Sequence, residues 1–398
     1  MKLFQKLLLA PAALGLFAPI AANANESNFR DVNSYTQDQV EVSVDTFKPL
    51  SSKNPLLAGG EGTQSSQNVD FNVDTFSATT TAEFTSNFAF GKEEGVSNDF
   101  IISNYDWELA LSSSFNGTDS LDVVINAGKS AGYTELDMTN HTDLQIDSIS
   151  YTSTYGEKVS AFVGLGGGAA GSSLYSTACV YGAQADTFSN CGVSAANIDE
   201  GLGAALGASF DLGNGFTAAV AYEGQGNSTK GFMSKEATDA IGAQVAYTGD
   251  TFGVSVSWAN IENHDDSSNN AIVTGSGDGQ TQSIGINAYY APDLNNFPSI
   301  SAGVESNHDD SVSGTTNDET SHYFLGIQWD EIGDGTLGAA IGSKAPYAEN
   351  TDASTMYEVF YSYNYADGIT ITPLIYSKDN SGSTADETGV ILKSTFSF

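Results

Sequence analysis

The stretch Phe76–Phe90 reads FSATTTAEFTSNFAF and alternates along its length. Phe76, Ala78, Thr80, Ala82, Phe84, Phe88 and Phe90 share one parity, and Ser77, Thr79, Thr81, Glu83, Thr85 and Asn87 share the other. A period of two places these sets on opposite faces of a β-strand, one apolar and one wet. The final stretch, Gly389–Phe398 or GVILKSTFSF, does the same: Val390, Leu392, Phe396 and Phe398 lie opposite Lys393, Thr395 and Ser397. Chain ends ordinarily fray into polar residues, whereas here strand alternation runs to the last position.

The same test applied between these two stretches finds about sixteen strand segments and no persistent helical period. They lie near 76–90, 105–115, 121–127, 144–155, 158–165, 202–212, 216–222, 240–247, 252–258, 282–290, 300–305, 320–329, 336–342, 356–365, 369–376 and 388–398. Connections after even segments are tight, among them Gly156-Glu157, Gly213-Asn214-Gly215, Gly249-Asp250 and Ala366-Asp367-Gly368. Connections after odd segments are long, such as Gly128–Asp143, Gly166–Gly201 and Ala259–Thr281. A Greek-key sandwich would not sort its connections so evenly. The expected fold is all-β: a transmembrane antiparallel β-barrel of about 16 strands with short periplasmic turns and long external loops.

Charge parity agrees, because a lipid-facing charge at mid-bilayer costs about 2–4 kcal/mol whereas a lumen keeps it hydrated. Glu83, Asp106, Glu108, Asp122, Asp211, Glu305, Glu358 and Lys393 all fall opposite the apolar face of their segment. In the fourth segment Leu144 and Ile146 are out of step with Ile149, Tyr151 and Tyr155, which predicts a bulge. Outward aromatics gather at segment ends. Phe115, Tyr155, Phe216, Tyr247, Phe252, Tyr290, Trp329, Tyr365 and Phe398 would form an inner girdle, and Trp107, Tyr222, Trp258 and Tyr357 an outer one.

Ahead of the barrel, residues 1–24 combine Lys2 and Lys6, an apolar run broken by Pro11 and Pro19, and Ala22-Asn23-Ala24, which together read as an export signal. Residues 25–74 are polar and hold the only arginine, Arg30; they read as a periplasmic extension or linker, with the barrel occupying 75–398. Thirteen basic residues against 49 acidic ones give a formal net charge of −36, which argues against nucleic acid as a partner. Two cysteines, Cys179 and Cys191, in an exported chain suggest a disulfide, with a pair of free thiols as the other reading.

The stretches MKLFQKLLLAPAALGLFAPIAANA, DTFSATTTAEFTSNFAFG and VILKSTFSF resemble outer-membrane porins of the general trimeric type, and most closely the cyanobacterial porins grouped with the carbohydrate-selective porin family. Residues 25–74 lack the surface-layer-homology domain common in those porins, so cell-wall anchoring is not carried over. The resemblance implies a homotrimer in contact with outer-membrane lipid and lipopolysaccharide. It implies recognition of Phe396 and Phe398 by the barrel assembly machinery. It also implies that the loop after the fifth strand, Gly166–Gly201, folds inward as a constriction, bringing Asp186, Asp199 and Glu200 to the pore together with both cysteines.

A lumen lined by Glu83, Asp106, Glu108, Asp122 and Glu358, with no arginine in the barrel to oppose them, is expected to prefer cations. The other reading confines the acidic excess to surface loops and leaves the pore unselective. Phe162, Phe324, Phe360 and Tyr376 have lumen parity and could form a sugar track or simply fill space at the wall. The expected activity is therefore passive diffusion of ions and small hydrophilic solutes through a water-filled channel, with a carbohydrate-selective porin or a non-conducting adhesive barrel as alternatives. No cofactor is expected apart from Ca²⁺ in the twin NHDDS loops at Asn263–Ser267 and Asn307–Ser311, whose spacing matches no calcium loop and reads more simply as solvated acid. His141, His264, His308 and His322 stand beside no nucleophile motif, which argues against an enzyme.

Overall fold

The computed structural model describes residues 80–398 apart from 96–99, 131, 200, 227–230, 235–237, 264–278, 295–296, 311–318, 345–346, 349–353 and 380–385. The export signal at 1–24, the extension at 25–74, the start of the first segment at 75–79, Glu200 and most of the first NHDDS loop lie outside the described residues.

The strands in chain order are β1 (Thr80–Glu94), β2 (Ile102–Ser113), β3 (Asp119–Lys129), β4 (Gln145–Tyr155), β5 (Val159–Gly166), β6 (Gly203–Gly213), β7 (Phe216–Gly224), β8 (Asp239–Thr248), β9 (Phe252–Asn263), β10 (Gly279–Tyr290), β11 (Ser299–Asp309), β12 (Glu319–Trp329), β13 (Gly335–Ser343), β14 (Tyr347–Ala348), β15 (Thr355–Ala366), β16 (Ile369–Lys378) and β17 (Glu387–Ser397). Each pairs antiparallel with its neighbours, and β1 pairs with both β2 and β17, so the sheet closes and leaves no edge. The two-residue β14 pairs with β12 beyond the end of β13, so β13 and β14 together make one stave of a 16-stave barrel.

Parity has the expected outcome. Val220, Val245, Val254, Val256, Ile284, Ile286, Val304, Leu325, Val359 and Val390 point outward at 40–54% exposure, an apolar belt around the barrel. Phe216, Tyr247 and Phe252 pack ring to ring at 4.9 and 5.1 Å near the short turns. The turn from β2 to β3 is gathered by Asp119, whose Oδ1 accepts from Ser114 Oγ and the Phe115 and Asn116 amides, each at 2.9 Å.

The register break in β4 is a bulge: Val124 pairs with Ser148 and Ile125 with Ile146, leaving Asp147 without a partner. Two expectations need correction. Strands run further toward the long loops than periodicity indicates, β9 to Asn263 and β11 to Asp309, because backbone pairing continues above the belt, where the outward positions Asn260, Glu262, Ser306 and His308 are polar. Tyr222, expected in the outer girdle, is buried; its hydroxyl donates to Asp239 at 2.6 Å and the Phe232 ring covers it at 4.7 Å.

Candidate functional site

The connection from β5 to β6 turns into the barrel. From Ser176 to Gln184, alternate backbone N–H groups donate to side chains on successive parts of the wall. Ser176 N reaches Gln244 Oε1 on β8 (2.6 Å), Ala178 N reaches Ser255 Oγ on β9 (3.0 Å), and Val180 N reaches Ser301 Oγ on β11 (3.1 Å). Gly182 N reaches Gln328 Oε1 on β12 (2.9 Å), and Gln184 N reaches Glu358 Oε2 on β15 (3.1 Å). An extended chain presents every second amide to the same side, and polar wall residues supply the acceptors that a covered backbone requires.

Either side of this run, Gly171 N donates to Glu223 at 3.0 Å and Ala196 N to Glu305 at 3.0 Å. The His322 ring spans from Gly192 O (2.6 Å) to Ser343 O (2.8 Å), so this histidine serves as a tether. Gly303 lets the loop come this close, since a Cβ there would lie 1.9 Å from the Cys191 carbonyl oxygen. Cys179 and Cys191 are bonded to each other. Tyr181 and Phe188 pack against Phe324 and Phe360, with centroids 5.2–5.8 Å apart. The Tyr181 hydroxyl donates to Glu358 at 2.8 Å, and burial, followed by the Glu358 charge, pushes this phenol far above its usual range and keeps it a donor.

A second connection, described over residues 132–144, also folds inward. The Thr134 amide and hydroxyl donate to Glu93 at 3.1 and 2.6 Å, and Thr139 N donates to Asp106 at 3.1 Å. Glu135 meets Lys378 at 3.0 Å in a buried ion triad completed by Glu387 at 2.7 Å. Glu135 also receives Thr187 N at 3.2 Å, and its carbonyl receives Asp186 N at 3.0 Å, so the two loops brace each other.

Two adjoining polar cavities, about 520 and 240 Å³, remain open on the side of β1–β4 and β17, and both are lined by Asn87 and Asp137. The larger also carries Asp106, Glu108, Asn126, His141 and Asp147; the smaller carries Asp186, Ser189 and Lys393. Partial burial, then the charges of Asp137, Glu135 and Asp199, raise the Asp186 carboxyl above the ordinary carboxylate range.

The acids expected to line the pore therefore separate. Glu108 and Asp186 are exposed in these cavities, and Asp106 sits at the wall of the larger one with hydrogen bonds from Asn87 (2.9 Å) and Thr139. Glu83 and Asp122 lie nearer the short turns, outside both cavities, with Asp122 accepting from Ser120 at 2.7 Å. Glu358 is 1% exposed beneath the loop and lines neither cavity, which corrects its expected place. Asp199 is exposed but braces its own loop through Ser172 (2.7 Å) and Asn190. Phe162, Phe324, Phe360 and Tyr376 are all buried, so they fill space and offer no sugar track. Periodicity overlooked Asp137, which sits on a loop, and Asp147, although the break at β4 was its signal. Lys393, given lumen parity by its strand, lines the smaller cavity together with Asp186.

His308 pairs with Asp310 at 3.1 Å, and no cluster suited to metal ligation occurs among the described residues.

No protein-family profile and no curated protein sequence matches the chain. Among solved structures it is similar to Pseudomonas putida OprB (TM-score 0.56, 12% identity, 80% of this chain and 94% of that one). It is similar to Salmonella typhi OmpF (TM-score 0.55, 12% identity, 80% and 97%). It is also similar to a variant of the Rh. blastica porin (TM-score 0.51, 13% identity, 80% and 100%). At this identity the likeness is one of fold.

Proposed function

We propose that this barrel is a porin: a water-filled channel through an outer membrane that passes ions and small hydrophilic solutes by diffusion and prefers cations. The observation that carries the reading is the polar opening between the two inward loops and the β1–β4 and β17 wall. There Asp106, Glu108, Asp137, Asp147 and Asp186 face Lys393, the one lysine lining either cavity among the described residues. A local potential of only about one kT separates monovalent cations from anions roughly sevenfold.

The outward apolar belt supports a lipid surround, and the export signal read at 1–24 supports placement beyond the inner membrane. Contact with lipopolysaccharide, handling by the barrel assembly machinery through Phe396 and Phe398, and a homotrimeric state belong to the same proposal and rest on the resemblance described above. A carbohydrate-specific channel is less well supported, because the lumen-parity aromatics are covered. Conductance in a planar bilayer under a salt gradient tests the proposal. Stepwise currents with a reversal potential on the cation side are expected; absence of current, or anion preference, overturns it.

A further inference from the structure

The Cys179–Cys191 bond lies where the seated β5–β6 loop shuts out other molecules. Cys191 is 0% exposed in an apolar cluster with Phe188 and Phe324, and its carbonyl oxygen occupies the space that a Cβ at Gly303 would take. Cys179 is partly buried and packs against the same cluster.

The backbone at Cys191 is also what seats the loop. Asn190 and Cys191 are left-handed, with φ of 50° and 53°, and Gly192 follows at 69°. Residues with a Cβ seldom adopt that conformation and keep it only where surrounding structure holds them. The three carbonyl oxygens of this turn meet three successive strands. Asn190 O accepts from Asn287 Nδ2 on β10 at 2.9 Å, Cys191 O lies against Gly303 on β11, and Gly192 O meets the His322 ring on β12 at 2.6 Å.

Thiol–disulfide exchange needs an attacking thiolate and a path to the sulfur, and apolar surroundings disfavour the thiolate. The seated loop offers neither at Cys191. Even with a mixed disulfide at Cys179, the closing step would require Cys191 to ionise inside the cluster. Exchange makes and breaks a disulfide through the same intermediate, so a site closed to reduction is closed to oxidation as well.

We propose that the Cys179–Cys191 bond is made before the loop seats, by exchange with a disulfide-bonded partner protein in the compartment to which the chain is exported, so that barrel closure acts on an already oxidised chain. One chain thiolate attacks the partner's disulfide, forming a mixed disulfide and releasing one partner thiolate. The second chain thiolate then attacks the chain sulfur of that mixed disulfide, closing the ring and expelling the partner's other thiolate. Two electrons pass to the partner, which leaves as a dithiol with the two protons that the cysteines gave up. The proposal rests on the export reading for its compartment. It rests on the channel reading only for its consequence, which is that the closed ring holds the left-handed turn in place and so narrows the opening.

Pulse-chase of the full chain in a host with an outer membrane, with free thiols trapped by a maleimide mass tag, orders the two events. The oxidised form is expected to appear before the heat-resistant folded form. A heat-resistant species that still takes the tag on denaturation and becomes oxidised only later overturns the proposal. A chain that never leaves the cytoplasm defeats the export reading, and the purified chain then decides the order. Dithiothreitol is expected to reduce the bond on the order of tenfold more slowly in the folded full chain in detergent than in urea; equal rates overturn the proposal. In planar bilayers Cys179→Ala/Cys191→Ala is expected to show a larger unitary conductance than the oxidised chain. Equal conductance defeats the consequence for the opening, whereas absence of current in the unaltered chain defeats the channel reading and leaves the order of events to the pulse-chase.

Discussion

Glu358 receives three hydrogen bonds from the inward β5–β6 loop, from the Tyr181 hydroxyl and the Gln184 and Ala185 amides. Removing the acceptor leaves buried donors unpaired at about 1–3 kcal/mol each. Glu358→Ala is expected to loosen the loop, raising unitary conductance and the solute size limit in liposome swelling, with Glu358→Gln intermediate because it keeps one acceptor oxygen. An unchanged size limit in Glu358→Ala would show that the other tethers suffice. Asp186 shares its charge but faces the opening. Its raised carboxyl takes up a proton as pH falls while ordinary carboxylates, near pH 4, are still ionised. Cation preference is therefore expected to begin falling above that range, and Asp186→Asn should abolish this early step; reversal potentials measured across pH decide the matter. Parity alone put both acids in the lumen and could not tell them apart, because coverage depends on where a distant loop packs.

The inward β5–β6 loop behaves as an element in its own right, an extended run whose hydrogen-bond partners are side chains of the wall. Its disulfide closes a short ring, worth about 3 kcal/mol on the chain-entropy account, and stiffens the segment that carries Asp186. The second inward loop is held by the Lys378 triad, with side-chain exposures of 4–5% for Lys378 and Glu135. Lys378→Met would take from the buried Glu135 the cation it meets at 3.0 Å, a loss of about 3–5 kcal/mol. The expected result is a lower temperature for conversion of the folded to the unfolded gel band, partly recovered by Lys378→Met/Glu135→Gln; an unchanged temperature would mean the triad is no anchor. The turns and the β4 bulge were legible because they depend on a few adjacent residues. The tops of β9 and β11 were not, since beyond Trp258 and Glu305 the backbone keeps pairing while the outward positions Asn260, Glu262, Ser306 and His308 become polar.

The ring of staves closes where β1 meets β17. Thr85 pairs with Ser397, Phe84 exchanges backbone hydrogen bonds with Phe398 at 2.9 and 3.0 Å, and their rings lie 5.1 Å apart. Phe398→Ala is expected to slow assembly into membranes while leaving conductance unchanged in the fraction that assembles; pulse-chase accumulation of the heat-resistant form measures this, and normal accumulation would reduce Phe398 to packing. For the whole molecule, extraction only by detergent is expected, and recovery in plain buffer would refute a membrane barrel. The amino-acid sequence by itself determined the staves, their apolar face, the order of short turns and long loops, and a bulge in the fourth stave, since alternation is a relation between neighbours in the chain. Tertiary structure alone decided which lumen acids face water and which hold loops. That choice rests on contacts such as Ala185 with Glu358, 173 positions apart, made when an inward loop exchanges water for acceptors on the wall.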